Sequence, residues 1–598
     1  MGKLIKVSDY VIKFLEKKKI TTVFTVSGGG SIFLCDALYK SKKIKYVSHH
    51  HEQAASFAAE SYARTKKSPG CCLVTTGPGG TNALTGVACA WIDSVPVIFI
   101  SGQVFLNQTI LKSKKRQVGV QEIDIISMVK SSTKFSKMIL EAESIEYYLE
   151  KAYHTSIEGR PGPVWLDIPA DIQNAFIDET KLKKYRPKKK QVKKIDRLVK
   201  KISLRLKYSK QPVIHLGGGA RQLKSQKILK KFFKKNKIPF ILTWNADDLF
   251  GSGHDLYAGK AGAFGERGSN FIIQNCDFYL SIGTRLPYMV TGYNAKDFAK
   301  KAKFKAMVDI DKNELKKSDL KLNLTVESDS SVFLEKLFKN LINYKPNFKW
   351  LNYCKNIRKK YPTLIPQMIE EKKYVNSYYF IKKLSEYSKK NDSIITDMGF
   401  SFTTSHQAMD VKQGQTFFTN SGHAPMGWGL PAAIGNHYAN IKNKKTKSNL
   451  ICLTGEGGLQ MNIQELATVM HNKIPIKIFI FNNGGYLTIK QTQQLGFNGR
   501  IMGADNTSGL SFPNYKKISE SHKIKYFKIS NHTELNQKLK LILNYKGAFI
   551  CELMMNPNEE QIPKAINKRG DDGKSIPTTF EDMYPFLSKE ELISNNFD

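Results

Sequence analysis

Cysteines are few in this sequence and form no recognisable motif. The chain has eight cysteines in 598 residues, and none of them form a Cys-x-x-Cys pair. This excludes the paired-cysteine metal and redox motifs, and cysteines within apolar strands are expected to be reduced core residues. We therefore expect a reducing, cytoplasmic location. No apolar run approaches the roughly 20 residues of a membrane span, and the lysine-rich segment 1–20 lacks the apolar centre of a signal peptide.

Acidic residues are also scarce. Asp and Glu total 52 against 93 Lys and Arg, which gives a formal net charge of +41. An excess of this size can mark a nucleic-acid or membrane partner. However, the lysines are spread along the whole chain, and the densest basic run, 181–201, is typical of a linker. No nucleic-acid motif accompanies them, so we expect neither a nucleic-acid nor a membrane partner.

Strand and helix patterns alternate through most of the chain. The length allows about three or four domains, and a hydrophobic content of 41% is enough for large cores. Such alternation predicts α/β domains, each with a doubly wound parallel sheet. The expected division is a first domain at 1–175, a basic linker at 176–205, a middle domain at 206–345, a second connection at 346–370, a last domain at 371–555 and a tail at 556–598.

The stretch 449–483 has the pattern of a strand–turn–helix–strand unit. An apolar strand at 449–454 leads into the turn Gly455-Glu456-Gly457-Gly458, and helical spacing of apolar residues predicts a helix over 459–471. A second apolar strand at 476–481 ends at Asn482-Asn483-Gly484-Gly485. Ligands bind beyond the carboxyl ends of strands in open α/β sheets. Both polar clusters lie at such ends.

These two clusters offer ligands for a diphosphate and a metal ion. The free N–H groups of the turn at Gly455, Gly457 and Gly458 suit a diphosphate. Glu456 offers a carboxylate, Asn483 a side-chain carbonyl and Gly485 a backbone carbonyl, which are the hard oxygen ligands that Mg²⁺ prefers. The alternative is the glycine turn of an ordinary βαβ unit.

Gly-acid-Gly followed about 25 residues later by Asn-Asn resembles the binding signature of thiamine diphosphate (ThDP) enzymes. That family has Gly-Asp-Gly, whereas this chain has Glu456, a departure that bears on the metal geometry. Three further segments resemble the acetolactate synthase branch of the family. They are His51-Glu52-Gln53 with 58–64, Gly77-Pro78-Gly79-Gly80-Thr81-Asn82, and Gly159-Arg160-Pro161-Gly162-Pro163.

The resemblance implies catalytic roles in the first domain. Glu52 would share a proton with N1′ of the aminopyrimidine ring, so that the 4′-imine can remove the C2 proton. Gly29 would lie near that ring, and Gln121 would approach the substrate. The alternative for Glu52 is an acid at a helix N-terminus, favoured by the helix dipole. The histidines at 49–51 are interpreted as polar strand-end residues, because successive positions on a strand do not converge on a metal.

The resemblance also implies cofactor contacts in the other two domains. Gly399 would touch the diphosphate, and Met426 would be the bulky residue beneath the two ThDP rings, although a core methionine is the alternative. In the middle domain, Arg285, Asp309 and Asp329 match flavin-contacting positions and imply FAD. The alternative is an ordinary α/β domain without flavin.

The implied reaction is decarboxylation of pyruvate, a 2-oxo acid, and transfer of the hydroxyethyl unit to a carbonyl acceptor. A second pyruvate would give 2-acetolactate. Thr492 stands where relatives selective for 2-ketobutyrate have Trp, and 581–587 is similar to tails of ThDP proteins of nucleotide-sugar pathways. A keto-sugar nucleotide of surface-polysaccharide synthesis is therefore an alternative acceptor, and a non-catalytic ThDP-fold scaffold is an alternative of another class. The family implies a homodimer or homotetramer and leaves a regulatory subunit open.

Overall fold

The predicted alternation folds into three six-stranded sheets, and all strand pairs within them are parallel. The computed structural model describes residues 4–187, 193–441, 448–569 and 575–597. The predicted α/β fold class is confirmed. Among the described residues, none of the helices combines the length and apolarity needed to cross a membrane.

The first domain has the sheet order β3-β2-β4-β5-β7-β6, with a separate antiparallel pair β1-β8. Its strands are β1 (Leu4–Lys6), β2 (Thr22–Thr25), β3 (Lys45–Ser48), β4 (Gly70–Val74), β5 (Val97–Gln103), β6 (Phe135–Met138), β7 (Val164–Pro169) and β8 (Phe176–Asp178). Its helices are α1 (Val7–Lys17), α2 (Ile32–Lys40), α3 (Glu52–Lys66), α4 (Pro78–Asn82), α5 (Leu84–Ile92), α6 (Ile125–Val129), α7 (Ile145–Ile157) and α8 (Ala170–Asn174).

The middle domain has the order β11-β10-β9-β12-β13-β14. Its strands are β9 (Pro212–Leu216), β10 (Phe240–Leu242), β11 (Tyr257–Lys260), β12 (Phe278–Ile282), β13 (Phe304–Asp309) and β14 (Leu324–Glu327). Its helices are α9 (Asp196–Tyr208), α10 (Leu223–Asn236), α11 (Arg267–Asn275), α12 (Ser330–Asn340) and α13 (Phe348–Lys360). Strand order reverses between β9 and β12 in the middle of the sheet. The carboxyl ends of these two strands therefore form a topological switch point.

The last domain has the order β16-β15-β17-β18-β20-β19. Its strands are β15 (Ser393–Thr396), β16 (Thr416–Phe418), β17 (Leu450–Gly455), β18 (Ile476–Asn482), β19 (Lys525–Ile529) and β20 (Phe549–Met554). Its helices are α14 (Pro366–Ile369), α15 (Ser377–Tyr387), α16 (Phe400–Ala408), α17 (Gly429–Asn440), α18 (Glu456–Met461), α19 (Glu465–His471), α20 (Leu487–Gly496), α21 (Tyr515–Ser521) and α22 (His532–Leu543). The order is that of the first domain, since strands added in sequence occupy the same places in both sheets.

Helices α3 and α17 pack the first and last domains against each other. A Cβ on Gly435 would lie 2.0 Å from the carbonyl oxygen of Ala58, so the two backbones meet where only glycine fits. The Ser61 hydroxyl donates to the carbonyl of Ala432 at 2.6 Å across the same contact. One apolar core therefore continues from the first domain into the last.

Regular structure extends into both predicted connections. Strand β8 and helix α9 lie within 176–205, whose segment 188–192 lies outside the described residues. Helix α13 lies within 346–370 and buries Trp350 against the middle domain. Its buried residues Leu351, Cys354 and Ile357 follow the helical period, which is the signal that could have located it.

The tail returns to the middle domain. It contains β21 (Lys568–Arg569), β22 (Ser575–Ile576) and α23 (Lys589–Ser594). Arg267 donates to the carbonyl of Met583 at 3.1 Å, and Asn270 donates to that of Phe580 at 3.0 Å. Phe580 and Met583 are buried. The tail thus completes the core of the middle domain.

Candidate functional site

Three neighbouring strands of the last sheet bring the predicted cofactor residues to one edge. β15 pairs with β17, and β17 pairs with β18, all in parallel. Gly399 follows β15, and Asn483 follows β18. The glycine turn predicted at 455–458 is the junction where β17 ends at Gly455 and α18 begins at Glu456. The carboxyl ends of parallel strands meet at one edge, so segments far apart in sequence form one surface.

Glu456 is the central acid of this surface and is only 1% exposed. Its carboxylate accepts from the backbone N–H groups of Asn483 at 3.1 Å and Gly484 at 2.8 Å. Burial raises the pKa of Glu456 to about 7, although these two N–H groups oppose the shift. The carboxyl is therefore costly to ionise unless a cation faces it.

Asn483 supplies the second oxygen of the predicted metal site. Its side-chain Oδ1 is buried and has no hydrogen-bond partner within the described residues. A buried carbonyl without a donor is unfavourable, and a hard cation beside Glu456 would satisfy it. Gly485, two positions after Asn483, forms a β-bridge with Asp505. A Cβ on Gly485 would lie 2.2 Å from the carbonyl oxygen of Ala504. These residues fit Mg²⁺.

The glycine turn has one packed side and one open side. A Cβ on Gly457 would lie 2.0 Å from the ring of Tyr486, and one on Gly458 would lie 2.6 Å from Asp397 Oδ2. By contrast, a Cβ on Gly455 or Gly399 would meet no heavy atom within 4 Å. Gly455 and Gly399 therefore border open space, whereas the packing around Gly457 and Gly458 holds this segment in place.

Asp397 is a site residue that the sequence reasoning missed. It is buried directly after β15 and accepts from the N–H of Met398 at 2.8 Å, the N–H of Gly427 at 3.1 Å and the hydroxyl of Thr454 at 3.1 Å. Burial raises the pKa of Asp397 to about 6. This acid ties the end of β15 to the turn after Met426 and to β17. An acid at the end of an apolar strand was the available signal.

Met426 lies between the glycine turn and an apolar patch. Its Cε would be 2.6 Å from a Cβ on Gly457, and it packs on a small cluster formed by the last and middle domains. The other members of that cluster are Trp244, Phe264, Met289, Met398 and Phe402. Gly427 has φ +82°, a conformation that favours glycine, and it turns the chain sharply after Met426.

Glu52 is the first residue of α3 and is partly exposed. Its Oε2 accepts from the side-chain amide of Asn82 at 2.9 Å. Gly79 lies close by, since a Cβ there would be 3.5 Å from Glu52 Oε1. Asn82 was quoted in the sequence motif without a role, and only the fold shows that α4 places it against Glu52.

The three histidines before Glu52 have separate environments. The His49 ring pairs with the Glu465 carboxylate at 2.7 Å, whereas the His51 ring caps α3 by accepting from the N–H of Gln53 at 3.1 Å. Among the described residues, no group of three or more His, Cys, Asp or Glu side chains could hold a metal. The side chains of His49 and His51 thus make separate contacts that do not converge.

Gly29 and Gln121 lie at other loops of the first domain. Gly29 is exposed, and a Cβ there would meet nothing within 4 Å. Gln121 has φ +64°, an exposed side chain and a backbone oxygen that accepts from the Thr76 hydroxyl at 3.3 Å. That oxygen would be 2.4 Å from a Cβ on Gly77, so the Gln121 backbone supports the Gly77 turn.

The predicted flavin residues follow three adjacent strands of the middle sheet. Arg285 follows β12 and is 31% exposed in its side chain, with Nη2 3.7 Å from Asp93 Oδ1. Asp309 ends β13 and accepts from the N–H of Asp311 at 2.9 Å, and burial raises its pKa. Asp329 caps α12 by accepting from the N–H of Ser331 at 2.8 Å.

A glycine turn occupies the switch point of the same sheet. Gly217 follows β9, and a Cβ there would lie 2.3 Å from the carbonyl oxygen of Gly283, which follows β12. The N–H of Gly219 donates to that same oxygen at 2.9 Å. This strand order with a glycine turn at the switch point is the arrangement used for dinucleotides, so the domain fits FAD.

Thr492 lies on α20, and its side chain is exposed. Its hydroxyl donates to the carbonyl of Thr488 at 2.9 Å in the preceding helical turn. The same helix and the loop after it expose Ile489, Leu495 and Phe497. Thr492 therefore adds little bulk to this surface.

Comparisons with known proteins match all three domains. Thiamine pyrophosphate (TPP) is another name for ThDP. A family model of thiamine pyrophosphate enzymes matches residues 5–128 as the N-terminal TPP binding domain. They match residues 199–337 as the central domain and 397–553 as the C-terminal TPP binding domain.

Curated relatives are similar over nearly the whole length. The acetolactate synthase large subunit of Cyanidium caldarium is 31% identical over 586 residues, covering 94% of this chain and 95% of the relative. The probable acetolactate synthase large subunit of Methanocaldococcus jannaschii is 32% identical over 577 residues, covering 93% and 92%. The isozyme 1 large subunit of Escherichia coli strain K12 is 28% identical over 559 residues, covering 93% and 95%. The predicted family resemblance is confirmed.

Proposed function

Because the chain belongs to the thiamine diphosphate-dependent enzyme family and carries its N-terminal, central and C-terminal domains, we propose that it decarboxylates pyruvate and joins the two-carbon unit to a carbonyl acceptor. With pyruvate as acceptor, two pyruvates and one proton give 2-acetolactate and CO₂. The supporting observation is the similarity to acetolactate synthase large subunits, which covers up to 94% of this chain.

The metal end of the site follows from the last domain. Glu456 and the unpartnered Oδ1 of Asn483 would hold Mg²⁺, together with the backbone carbonyl of Gly485. Gly399, Gly455, Gly457 and Gly458 would surround the diphosphate. Glu456 loses its proton when the metal binds, because the cation offsets the cost of the buried charge.

In the proposed dimer, the reacting end would combine the first domain of one subunit with the Met426 turn of the other, because the family holds the two ends of one ThDP on different subunits. When bound, ThDP supplies the electron sink that lets a 2-oxo acid lose CO₂. Glu52 would share a proton with the aminopyrimidine ring of the cofactor, and the side-chain amide of Asn82 orients it by donating to Oε2. Met426 supports the cofactor rings from below, Gly29 leaves room beside the pyrimidine, and Gln121 approaches the substrate. The apolar patch behind Met426 excludes water.

FAD is proposed as a second cofactor of the middle domain. The glycine turn of Gly217 and Gly219 at the switch point supports it, with Arg285, Asp309 and Asp329 at the adjacent strand ends. FAD added to purified protein should remain after gel filtration and give a flavin spectrum. Complete loss of flavin at the filtration step would contradict this assignment.

A keto-sugar nucleotide is the second candidate acceptor. Thr492 is exposed, and its hydroxyl bonds within its own helix, so α20 presents no bulky side chain at this position. This supports a bulky acceptor.

We propose a homodimer or homotetramer, without a nucleic-acid partner and with a regulatory subunit left open. A cytoplasmic location is supported by the eight cysteines, all of which are unpaired.

The deciding experiment supplies purified protein with ThDP, Mg²⁺, FAD and pyruvate as the sole substrate. Acetolactate formation would support pyruvate as acceptor, whereas CO₂ release only after addition of a keto-sugar nucleotide would support the second candidate. Failure to bind ThDP with Mg²⁺ and to release CO₂ with either acceptor would contradict both and favour a non-catalytic scaffold.

A further inference from the structure

A fully buried glutamine, Gln103, ends strand β5 of the first domain. Its Oε1 accepts from the Thr76 hydroxyl at 2.5 Å and from the backbone N–H of Val104 at 3.0 Å. Its Nε2 donates to the carbonyl of Ile123 and to Asp167 Oδ2, both at 3.1 Å. All four hydrogen-bonding positions of the amide are therefore used, and three of the four partners come from other segments of the domain.

Asp167 fixes the orientation of this amide. It lies on β7, which pairs with β5, and its side chain is fully buried. Its Oδ1 accepts from the Ser101 hydroxyl at 2.5 Å. A rotation of the Gln103 amide by 180° would place its oxygen against the Asp167 carboxylate and its nitrogen against the Val104 N–H, which is unfavourable in a buried site. We call the four connected side chains the Gln103 network: Thr76, Ser101, Gln103 and Asp167.

The loop that carries Gln121 is tied to this network by its backbone. The carbonyl of Ile123 accepts from Gln103, and the Thr76 hydroxyl also contacts the carbonyl oxygen of Gln121 at 3.3 Å. Glu122, between them, is buried and accepts from backbone N–H groups of the same loop. The side chain of Gln121 is exposed. The network therefore holds the backbone on both sides of Glu122 while the Gln121 side chain stays at the surface.

These contacts all lie within the first domain. Gly29, Glu52 and Gln121, which the proposed function uses, belong to this domain as well. They would therefore face one cofactor whichever subunit supplies the last domain. Within the first domain, Gln103 is the residue that links the loop after β4 with the loop after β5.

We propose that Gln103 is a positioning residue that sets Gln121 for the 2-oxo acid substrate, with Thr76 as its partner. The proposal rests on the proposed function, because Gln121 matters only if a substrate binds beside the cofactor. A substrate contact is effective only when it is held within a fraction of an ångström. Loss of the anchor should therefore lower kcat/KM for pyruvate about 10- to 100-fold.

The competing explanation is that Gln103 only stabilises the sheet. In that case its replacement would lower thermal stability, but the protein that remains folded would keep its kcat/KM. Any kinetic loss would also be independent of Gln121. Both differences can be measured.

Gln103→Glu removes the anchor with the least change in shape. The new side chain keeps an oxygen for Thr76 and Val104. Burial raises the pKa of Asp167 to about 7, and a second buried carboxyl beside it would share one proton with it. No hydrogen is then left for the carbonyl of Ile123, so the variant breaks the bond that holds the Gln121 loop.

Gln415→Glu is the matched control. Gln415 is also buried, and its Nε2 donates to the Ser388 hydroxyl and to the carbonyl of Lys389, both at 2.9 Å. Its Oε1 accepts from the N–H of Lys412 at 2.7 Å. Strand β16 begins directly after Gln415, so this residue lies at the opposite edge of its sheet from the candidate site. Its variant should leave kcat/KM unchanged.

Thr76→Val tests the same link where Gln103→Glu fails to fold. It keeps the shape of the side chain and removes the hydroxyl, and Val104 still donates to Gln103. The drop in kcat/KM should be smaller, about three- to tenfold. Thr133→Val is its control, because the Thr133 hydroxyl donates to the carbonyl of Val129 at 2.9 Å, near the amino end of β6.

Two readouts apply to the full-length protein. In cofactor-free protein, amide hydrogen exchange at 117–124 should be faster in Gln103→Glu and Thr76→Val but not in either control. In protein saturated with ThDP and Mg²⁺, kcat/KM for pyruvate should fall as stated. Deuterium exchange at C2 of the cofactor should stay within about threefold of wild type, because the bond between Asn82 and Glu52 is untouched. Wild-type amide exchange and kcat/KM in both variants would overturn the proposal.

A double variant shows whether Gln103 acts through Gln121. Gln121→Asn shortens the side chain, and asparagine tolerates the φ of +64° at this position. In the Gln121→Asn background, Gln103→Glu should lower kcat/KM by less than about threefold, since the contact that it positions is already lost. Additive losses would overturn the positioning role and favour a purely structural one.

The outcomes separate this proposal from the proposed function. Absence of pyruvate decarboxylation in the wild type would contradict the proposed function and remove the basis of the proposal. Normal kcat/KM in Gln121→Asn would remove the role of Gln121 and overturn the proposal. Loss in Gln121→Asn with normal kcat/KM in Gln103→Glu and Thr76→Val would leave the proposed function intact and overturn the positioning role alone.

Discussion

The two glutamates of the site belong to the same residue type but have opposite surroundings. Glu52 is partly exposed and is held by the side-chain amide of Asn82. Glu456 is buried and is held by two backbone N–H groups, next to an unpartnered amide oxygen. The first arrangement leaves a carboxyl open to an arriving base, and the second favours a cation. The surroundings, rather than the residue type, thus distinguish the proposed proton-transfer role of Glu52 from the proposed metal-binding role of Glu456.

The domains that carry these acids repeat one topology. Both sheets have the same strand order, yet Glu52 opens a 15-residue helix after β3, whereas Glu456 opens a 6-residue helix after β17. The short helix keeps a glycine turn close to the strand ends of its own sheet. The long helix instead packs the two domains together. The proposed roles of the two domains therefore differ through the segments that follow the strands and not through the sheets themselves.

The largest effect should come from Glu52→Gln. The amide has the same shape but cannot supply the carboxyl proton, so turnover should fall about 10²- to 10⁴-fold. ThDP affinity should change little, because Glu456 and the glycine turn still hold the diphosphate. Steady-state kinetics and titration calorimetry check this pair of outcomes. Turnover near that of the wild type would show that Glu52 is only a helix N-terminal acid.

Sequence patterns located the elements of the site more reliably than its contacts. The two strands of the 449–483 unit were predicted close to their observed bounds, but the separate turn at 455–458 was wrong, because Gly455 ends β17 and Glu456 already begins α18. The single helix over 459–471 was also wrong, because Asn462 interrupts it between α18 and α19. The apolar spacing continues through the break and hides it. Asn82 and Asn462 donate to partners distant in sequence, so no local pattern could assign their contacts. Asp397 differs, because an acid at the end of an apolar strand is a signal that the sequence does contain.

Glu456→Gln should weaken metal-dependent binding of ThDP. The variant keeps the size of the side chain but loses the charge that faces the metal, so Mg²⁺-dependent ThDP affinity should fall roughly 100-fold or more. At saturating Mg²⁺ and ThDP, turnover should recover more fully than in Glu52→Gln. Calorimetric titration of Mg²⁺ with ThDP present is the measurement. Unchanged affinity would remove Glu456 from the metal site.

The pH dependence of metal binding should sharpen the contrast. The pKa of Glu456 is raised to about 7, so the metal-free protein keeps this proton below that pH and loses stability as the pH rises through about 7. Binding of Mg²⁺ requires the ionised carboxylate. Affinity should therefore rise up to about tenfold per pH unit below pH 7 and level off above it. Calorimetry across this range should show a smaller slope in Glu456→Gln, where only the cofactor titrates. Equal slopes would contradict the assignment.

The smallest effect should separate two glycines of one turn. Gly457→Ala places a Cβ 2.0 Å from the Tyr486 ring, whereas Gly455→Ala places one in open space. In a helix, alanine is more favourable than glycine by about 1 kcal/mol, but the clash with the Tyr486 ring outweighs that gain. Gly457→Ala should therefore lower the free energy of unfolding by about 1–3 kcal/mol. Denaturant unfolding of cofactor-free protein measures it. Gly455→Ala should change stability by less than about 1 kcal/mol but weaken ThDP binding, because its open space faces the diphosphate. The reverse ranking in either assay would show that the open and packed sides of the turn are misassigned.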